Sequence, residues 1–215
     1  MKKKYLIRLI FCLMVILIFS SCLGLSMDIA MKRDGSGRVV LEYIMPSVLQ
    51  NLGILDGNES WPTIPIGRAD FQRAIEGIDG ARLVSFSSRE KGKDYFINAV
   101  LDFDNPQALA KIIGEGTSLS DGKLSFIFLD KEDLQNIDAD LIELFKSGQE
   151  GKKLSLSFTK DGSTSGLKIT DNQGNEIQPS ETAGQVVSSG KKVSFSIDSM
   201  NLFDYTDGLE VHITW

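Results

Sequence analysis

Three scarcities bound what this chain does. It has 2 cysteines and 1 histidine in 215 residues. One cysteine, Cys12, lies inside an N-terminal apolar run; the other, Cys22, stands just behind it. If that run is removed and Cys22 is modified, no thiol is left for a disulfide, although an exported compartment would permit one. Zinc and copper sites need Cys or His in numbers this chain lacks. His212 falls on the polar side of an alternating strand and reads as a solvated position rather than a general base. The nearest approach to a nucleophile elbow, Gly162-Ser163-Thr164-Ser165-Gly166, puts threonine where the serine would be. Gly190-Lys191-Lys192 lacks the upstream glycine and the following Ser or Thr of a phosphate loop.

A long hydrophobic run is also missing. Leu9 to Phe19 is 11 apolar residues, closed off by Arg8, where a spanning helix needs about 20. The formal charge is −6, which argues against nucleic acid as a partner and against electrostatic adhesion to anionic lipid. Carboxylates cluster at Asp130, Glu132, Asp133, Asp138, Asp140 and Glu143, but without EF-hand spacing or its glycine. They are expected to cap and solvate a helix N-terminus. No metal or other cofactor is expected, and the chain reads as non-enzymatic.

What is present is an export signal. Lys2-Lys3-Lys4 precedes the apolar run, which ends in Phe19-Ser20-Ser21-Cys22. A basic start, a short apolar centre and small residues before a cysteine match a bacterial lipoprotein signal, with Phe19 where leucine is usual. Residues 1–21 are thus expected to be removed, leaving 22–215 as the membrane-tethered domain with Cys22 acylated by palmitate-type chains. Cleavage after Gly24 without lipid is the alternative. Two or more chains hold a protein on a bilayer without crossing it. The expected location is the cell envelope, and Leu23, not aspartate, after the cysteine leans towards the outer membrane. A strand begins three residues beyond Cys22, about 10 Å away at 3.3 Å per residue, so the domain should lie close to the membrane.

From there the periodicity is mostly that of strands. Leu25, Met27, Ile29 and Met31 alternate with polar neighbours. Asp34-Gly35-Ser36-Gly37 makes a hairpin turn into Val39, Leu41, Tyr43 and Met45, ending at Pro46. A short helix is expected over Ser47 to Leu52. Gly53 to Gly67 is a 15-residue loop with Pro62 and Pro65, longer than most connections. It carries Trp61, Ile64 and Ile66, which either cap one end of the core, the plainer reading, or form a lid or a membrane-contact loop. Arg68 to Ile78 reads as an amphipathic helix. Val84 and Phe86 lead to a turn at Lys91-Gly92-Lys93-Asp94, followed by five inward positions from Tyr95 to Phe103.

Asp104-Asn105-Pro106 starts a second helix, with Leu109, Ile112 and Ile113 inward and Gly114 at its end. Asp121-Gly122 turns into a strand over Leu124 to Leu129, and a third helix is expected over Asp138 to Lys146. Four strand-like stretches follow, led by Leu154, Leu167, Val193 and Leu209, with Trp215 inward. The fold class expected is α+β: antiparallel hairpins and sheet packed with about three amphipathic helices, with a sub-boundary near 148–151.

Cys22 followed directly by a strand, the Asp34-Gly35-Ser36-Gly37 turn, an amphipathic helix, a hairpin ending in Leu101-Asp102-Phe103 and a last strand closing on Trp215 together resemble the LppM-type bacterial lipoprotein domain. The likeness is one of element order over most of residues 22–215. It implies a lipid-binding α+β module at a membrane surface with no enzymatic residues to carry over; only Cys22 transfers. No C-terminal transmembrane helix of the kind some relatives carry follows Trp215, so the acyl group is the expected sole anchor. Two functions suit these features. One is a membrane-proximal module binding lipid or another apolar ligand; the other is a structural or assembly lipoprotein binding an envelope protein.

Overall fold

The computed structural model describes residues 24–46, 65, 67–92, 94–114, 116–120, 122–131, 152–180 and 183–215. Of these, 56% are strand and 15% helical. This overturns the expected α+β arrangement with about three helices, because two α-helices are present among the described residues and part of the cover is a second, four-stranded sheet. The expected helices over Ser47 to Leu52 and Asp138 to Lys146 lie outside the described residues.

The elements in order are β1 (Gly24–Met31), β2 (Gly37–Pro46), α1 (Arg68–Ile75), β3 (Ala81–Lys91), β4 (Asp94–Phe103), α2 (Pro106–Ile113), β5 (Ser118–Ser120), β6 (Lys123–Leu129), β7 (Lys153–Lys160), β8 (Gly166–Thr170), β9 (Gln185–Ser189), β10 (Lys192–Asp198), a 3₁₀ turn (Ser199–Asp204) and β11 (Leu209–Thr214). Seven strands form one sheet in the order β3-β4-β2-β1-β7-β10-β9, and four form a second, β5-β6-β11-β8. The large sheet is antiparallel except where β1 runs parallel to β7, with Leu25 opposite Leu154 and Met31 opposite Lys160. Residues 148–151 lie outside the described residues, and strands from both sides of them share the large sheet.

The alternation of each strand decides which side faces the core. Ile29, Val39, Leu101, Phe158 and Phe195 on the large sheet meet Leu124, Val211, Ile213 and Ile169 on the small one in a single buried cluster. Towards β2, β4 and β3 the small sheet gives way to the helices, and a second buried cluster joins Tyr43, Ile97 and Ala99 to Phe71 of α1. One face of the large sheet is thereby covered half by strands and half by helices. Trp215, just past β11, stacks on Phe158 with ring centroids 5.3 Å apart and planes 28° apart. Lys160 Nζ sits 5.5 Å from the centroid of the same indole.

Local chemistry places the turns. Gly35 in the first hairpin takes a φ of 85°, a region that glycine enters without strain, and Asp34 accepts a hydrogen bond from Ser36 N at 3.0 Å. Gly37 is required for another reason. A Cβ there would collide with the Ala30 carbonyl oxygen and the Phe103 ring. In β3 the register against β4 slips between Leu83 and Ser85. This bulge keeps both Leu83 and Phe86 on the core side and leaves Val84 44% exposed.

Candidate apolar ligand site

The helices do not lie flat on the sheet, and a cleft of about 370 Å³ separates them from it. Its floor is the inner side of β1, β2 and β4, from Leu25, Met27, Leu41, Tyr43 and Leu101. Its roof is Phe71, Ala74 and Ile75 of α1 with Ile78 just beyond, and Ile112 and Ile113 of α2; Pro65 stands at one side.

Each helix is held from one end. At the start of α1, Gly67 N donates to Asp70 Oδ2 at 2.8 Å, satisfying one of the free N–H groups of the first turn. Arg73 pairs with the same carboxylate. Phe71 then reaches down to Tyr43 and Phe86, with ring centroids 6.4 and 5.5 Å away. At the start of α2, Asn105 Oδ1 accepts from Ala108 N at 2.8 Å and Pro106 occupies the first turn, as the sequence predicts. Ala108 and Leu109 are 1% and 0% exposed. The first half of α2 is therefore fixed in the main core while Ile112 and Ile113, only half-buried, are left to the cleft.

One polar group is buried next to the apolar lining. The Tyr43 hydroxyl is buried and has no hydrogen-bond partner among the described residues. Burial, reinforced by the Asp70 charge, pushes its pKa upward, so it stays a neutral O–H. Leaving such a group unpaired costs about 1–3 kcal/mol.

Of the residues singled out in the sequence, Cys22, Trp61, Ile64 and Ile66 lie outside the described residues. Their neighbours on the chain are informative. Leu25, three positions from Cys22, is on the floor of the cleft, and Pro65, from the long loop, is at its side. The other lining residues read in sequence as ordinary core positions, and nothing local distinguishes them.

His212 departs from its expected solvated position. Its side chain is 12% exposed, its Nε2 lies 2.9 Å from Thr170 Oγ1, and Nδ1 is 3.8 Å from Glu210 Oε1. Burial lowers its pKa, aided by Lys123 and Lys168 and opposed by Glu210. It sits on the outer side of the small sheet, away from the cleft, opposite Ser125 in register.

No group of three or more His, Cys, Asp or Glu side chains among the described residues is arranged to hold a metal ion. No helix among them is long and apolar enough to cross a membrane. No family model and no curated protein matches this chain.

Proposed function

We propose that this chain is a non-enzymatic lipoprotein of the bacterial cell envelope, anchored through acylated Cys22 and leaning towards the outer membrane, whose cleft takes up an acyl chain or another apolar ligand. The observation that carries the reading is the cleft itself, an apolar space of about 370 Å³ between the helices and the sheet. Its size falls in the range of small-molecule sites. Burying each methylene contributes about 0.8 kcal/mol, so ten of them supply roughly 8 kcal/mol before the entropy of binding is subtracted. Leu25, on the floor of the cleft, is three residues from Cys22 in sequence, which supports a site close to the bilayer if Cys22 carries the lipid. The resemblance to LppM-type domains points the same way.

A fluorescent fatty acid such as parinaric acid tests this. Its emission should rise on titration into the full chain, saturating at one probe per chain. Ala74→Phe, which adds bulk to the roof without removing a core contact, should abolish the rise. No rise with the unaltered chain would contradict the proposal.

A second reading has one observation in its favour. β9 ends the large sheet, and its Val187 is 55% exposed. An assembly lipoprotein would use such an edge to add a strand from a protein partner.

A further inference from the structure

The opposite face of the large sheet holds a second hollow, of about 570 Å³ and different chemistry. Register lays its side chains out in two neighbouring rows. The first runs Arg89, Phe96, Ile44, Gly24 from β3 to β1 and reaches Lys153 on β7. The second runs Ser87, Asn98, Glu42, Ser26, Ser155 across the same strands. An apolar strip thus lies alongside a polar one. Asn98 Nδ2 donates to Glu42 Oε1 at 2.7 Å, fixing an amide and a carboxylate side by side. The Arg89 guanidinium stands over Phe96, 5.3 Å from the ring centroid.

Four features narrow the occupant. Most of the floor is built from interior strands whose backbone groups are paired within the sheet, so recognition by adding a strand is not available there and falls to side chains. Serine hydroxyls donate and accept equally, and their small size lets a ligand lie close to the sheet. The strip of Phe96, Ile44 and Gly24 suits a flat C–H surface, and the adjoining row suits the hydroxyls at its rim; a pyranose ring has both. Finally, Arg89 and Lys153 stand at the two ends of a row crossing five strands, roughly 19 Å apart at about 4.8 Å per strand. These two cations complement acid groups spaced along the row, with Glu42 between them and Asp198 opposite Lys153 in register.

We propose that this hollow binds a short oligosaccharide bearing carboxylates, its rings lying along the Phe96–Gly24 strip and its acid groups meeting Arg89 and Lys153. Leu25 and Tyr43 border both this hollow and the apolar cleft; the proposal does not depend on the cleft holding a lipid.

The test is a titration of the full, detergent-solubilised chain with tetragalacturonic acid and with neutral maltotetraose, followed by the backbone amide signals of Ser26, Asn98 and Ser155. The acidic sugar should shift these signals with a Kd near or below about 1 mM. Raising the salt concentration should weaken it, and the neutral sugar should bind at least about tenfold less tightly. The double variant Arg89→Ala/Lys153→Ala should lose about tenfold in affinity for the acidic sugar while the amide spectrum of the rest of the sheet stays unchanged. Absence of shifts with the acidic sugar, equal binding of both sugars, or undiminished binding by the double variant would each overturn the proposal.

Discussion

Tyr43 on β2 and Phe71 on α1 meet with ring centroids 6.4 Å apart and planes tilted by 39°. The contact joins helix to sheet at the cleft, and it buries a hydroxyl that has no partner among the described residues. Tyr43→Phe keeps the ring and removes the hydroxyl. The empty protein should then be more stable by about 1 kcal/mol in urea unfolding.

His212 gives the small sheet a pH dependence of defined sign. Its folded pKa lies below the ordinary 6.5 because burial disfavours the imidazolium. As pH falls below about 6.5 the unfolded chain takes up a proton that the folded chain resists, so stability is lost in that direction. His212→Gln retains an amide able to bond Thr170 and does not titrate. Between pH 7 and pH 5 the unaltered chain should lose more stability than this variant, measured as the shift in urea midpoint.

Gly37 lies where β2 leaves the first hairpin, against Ala30 and Phe103. Gly37→Ala should destabilise the fold by about 1–3 kcal/mol, the cost typical of overpacking. Gly92→Ala serves as a comparison of a different kind. That glycine meets no atom within 4 Å but has a φ of 69°, so its cost is backbone strain alone. Urea unfolding of the two variants should show Gly37→Ala as the more damaging.

Cys22→Ser removes the thiol to which the lipid would be attached. The variant should leave the membrane fraction, or retain an uncleaved signal, and its N-terminal peptide should carry no acyl mass. An unaltered protein whose N-terminus begins beyond Cys22 would contradict the anchor.

How far the chain could be read without its structure follows from how local each feature is. The Asp34–Gly37 turn, the Asn105-Pro106 helix start and the inward run from Ile97 to Phe103 are encoded within a few residues, and the structure places them as read. Partition into two sheets is not encoded that way. Alternation in β7, β8, β10 and β11 says which side of each strand is apolar and leaves open whether two strands are neighbours or face each other across a core. β8 and β11 pair in the small sheet while β7 and β10 extend the large one, and β1 meets β7 across more than a hundred residues. Hence strands that read as one sheet beneath helices divide into two sheets facing each other. β5 has three residues, too short for period-2 reading; β9, Gln-Val-Val-Ser-Ser, has no alternation to read; and the β3 bulge shifts parity within one strand.

The candidate site is still less local. Leu25, Tyr43, Phe71 and Ile113 each look like core residues, and only the gap between helices and sheet makes them a cleft. The single sequence clue was position, a strand starting directly after Cys22. It concerned where the domain sits and was silent about what it encloses.

The central claim is that the cleft holds an acyl chain, and native mass spectrometry of protein extracted from its own membranes tests it most directly. The account predicts an acylated Cys22 together with one non-covalent lipid per chain, and loss of that lipid, with the anchor intact, in Ala74→Phe. An anchored protein that carries no lipid, or one whose lipid is unaffected by Ala74→Phe, would contradict it.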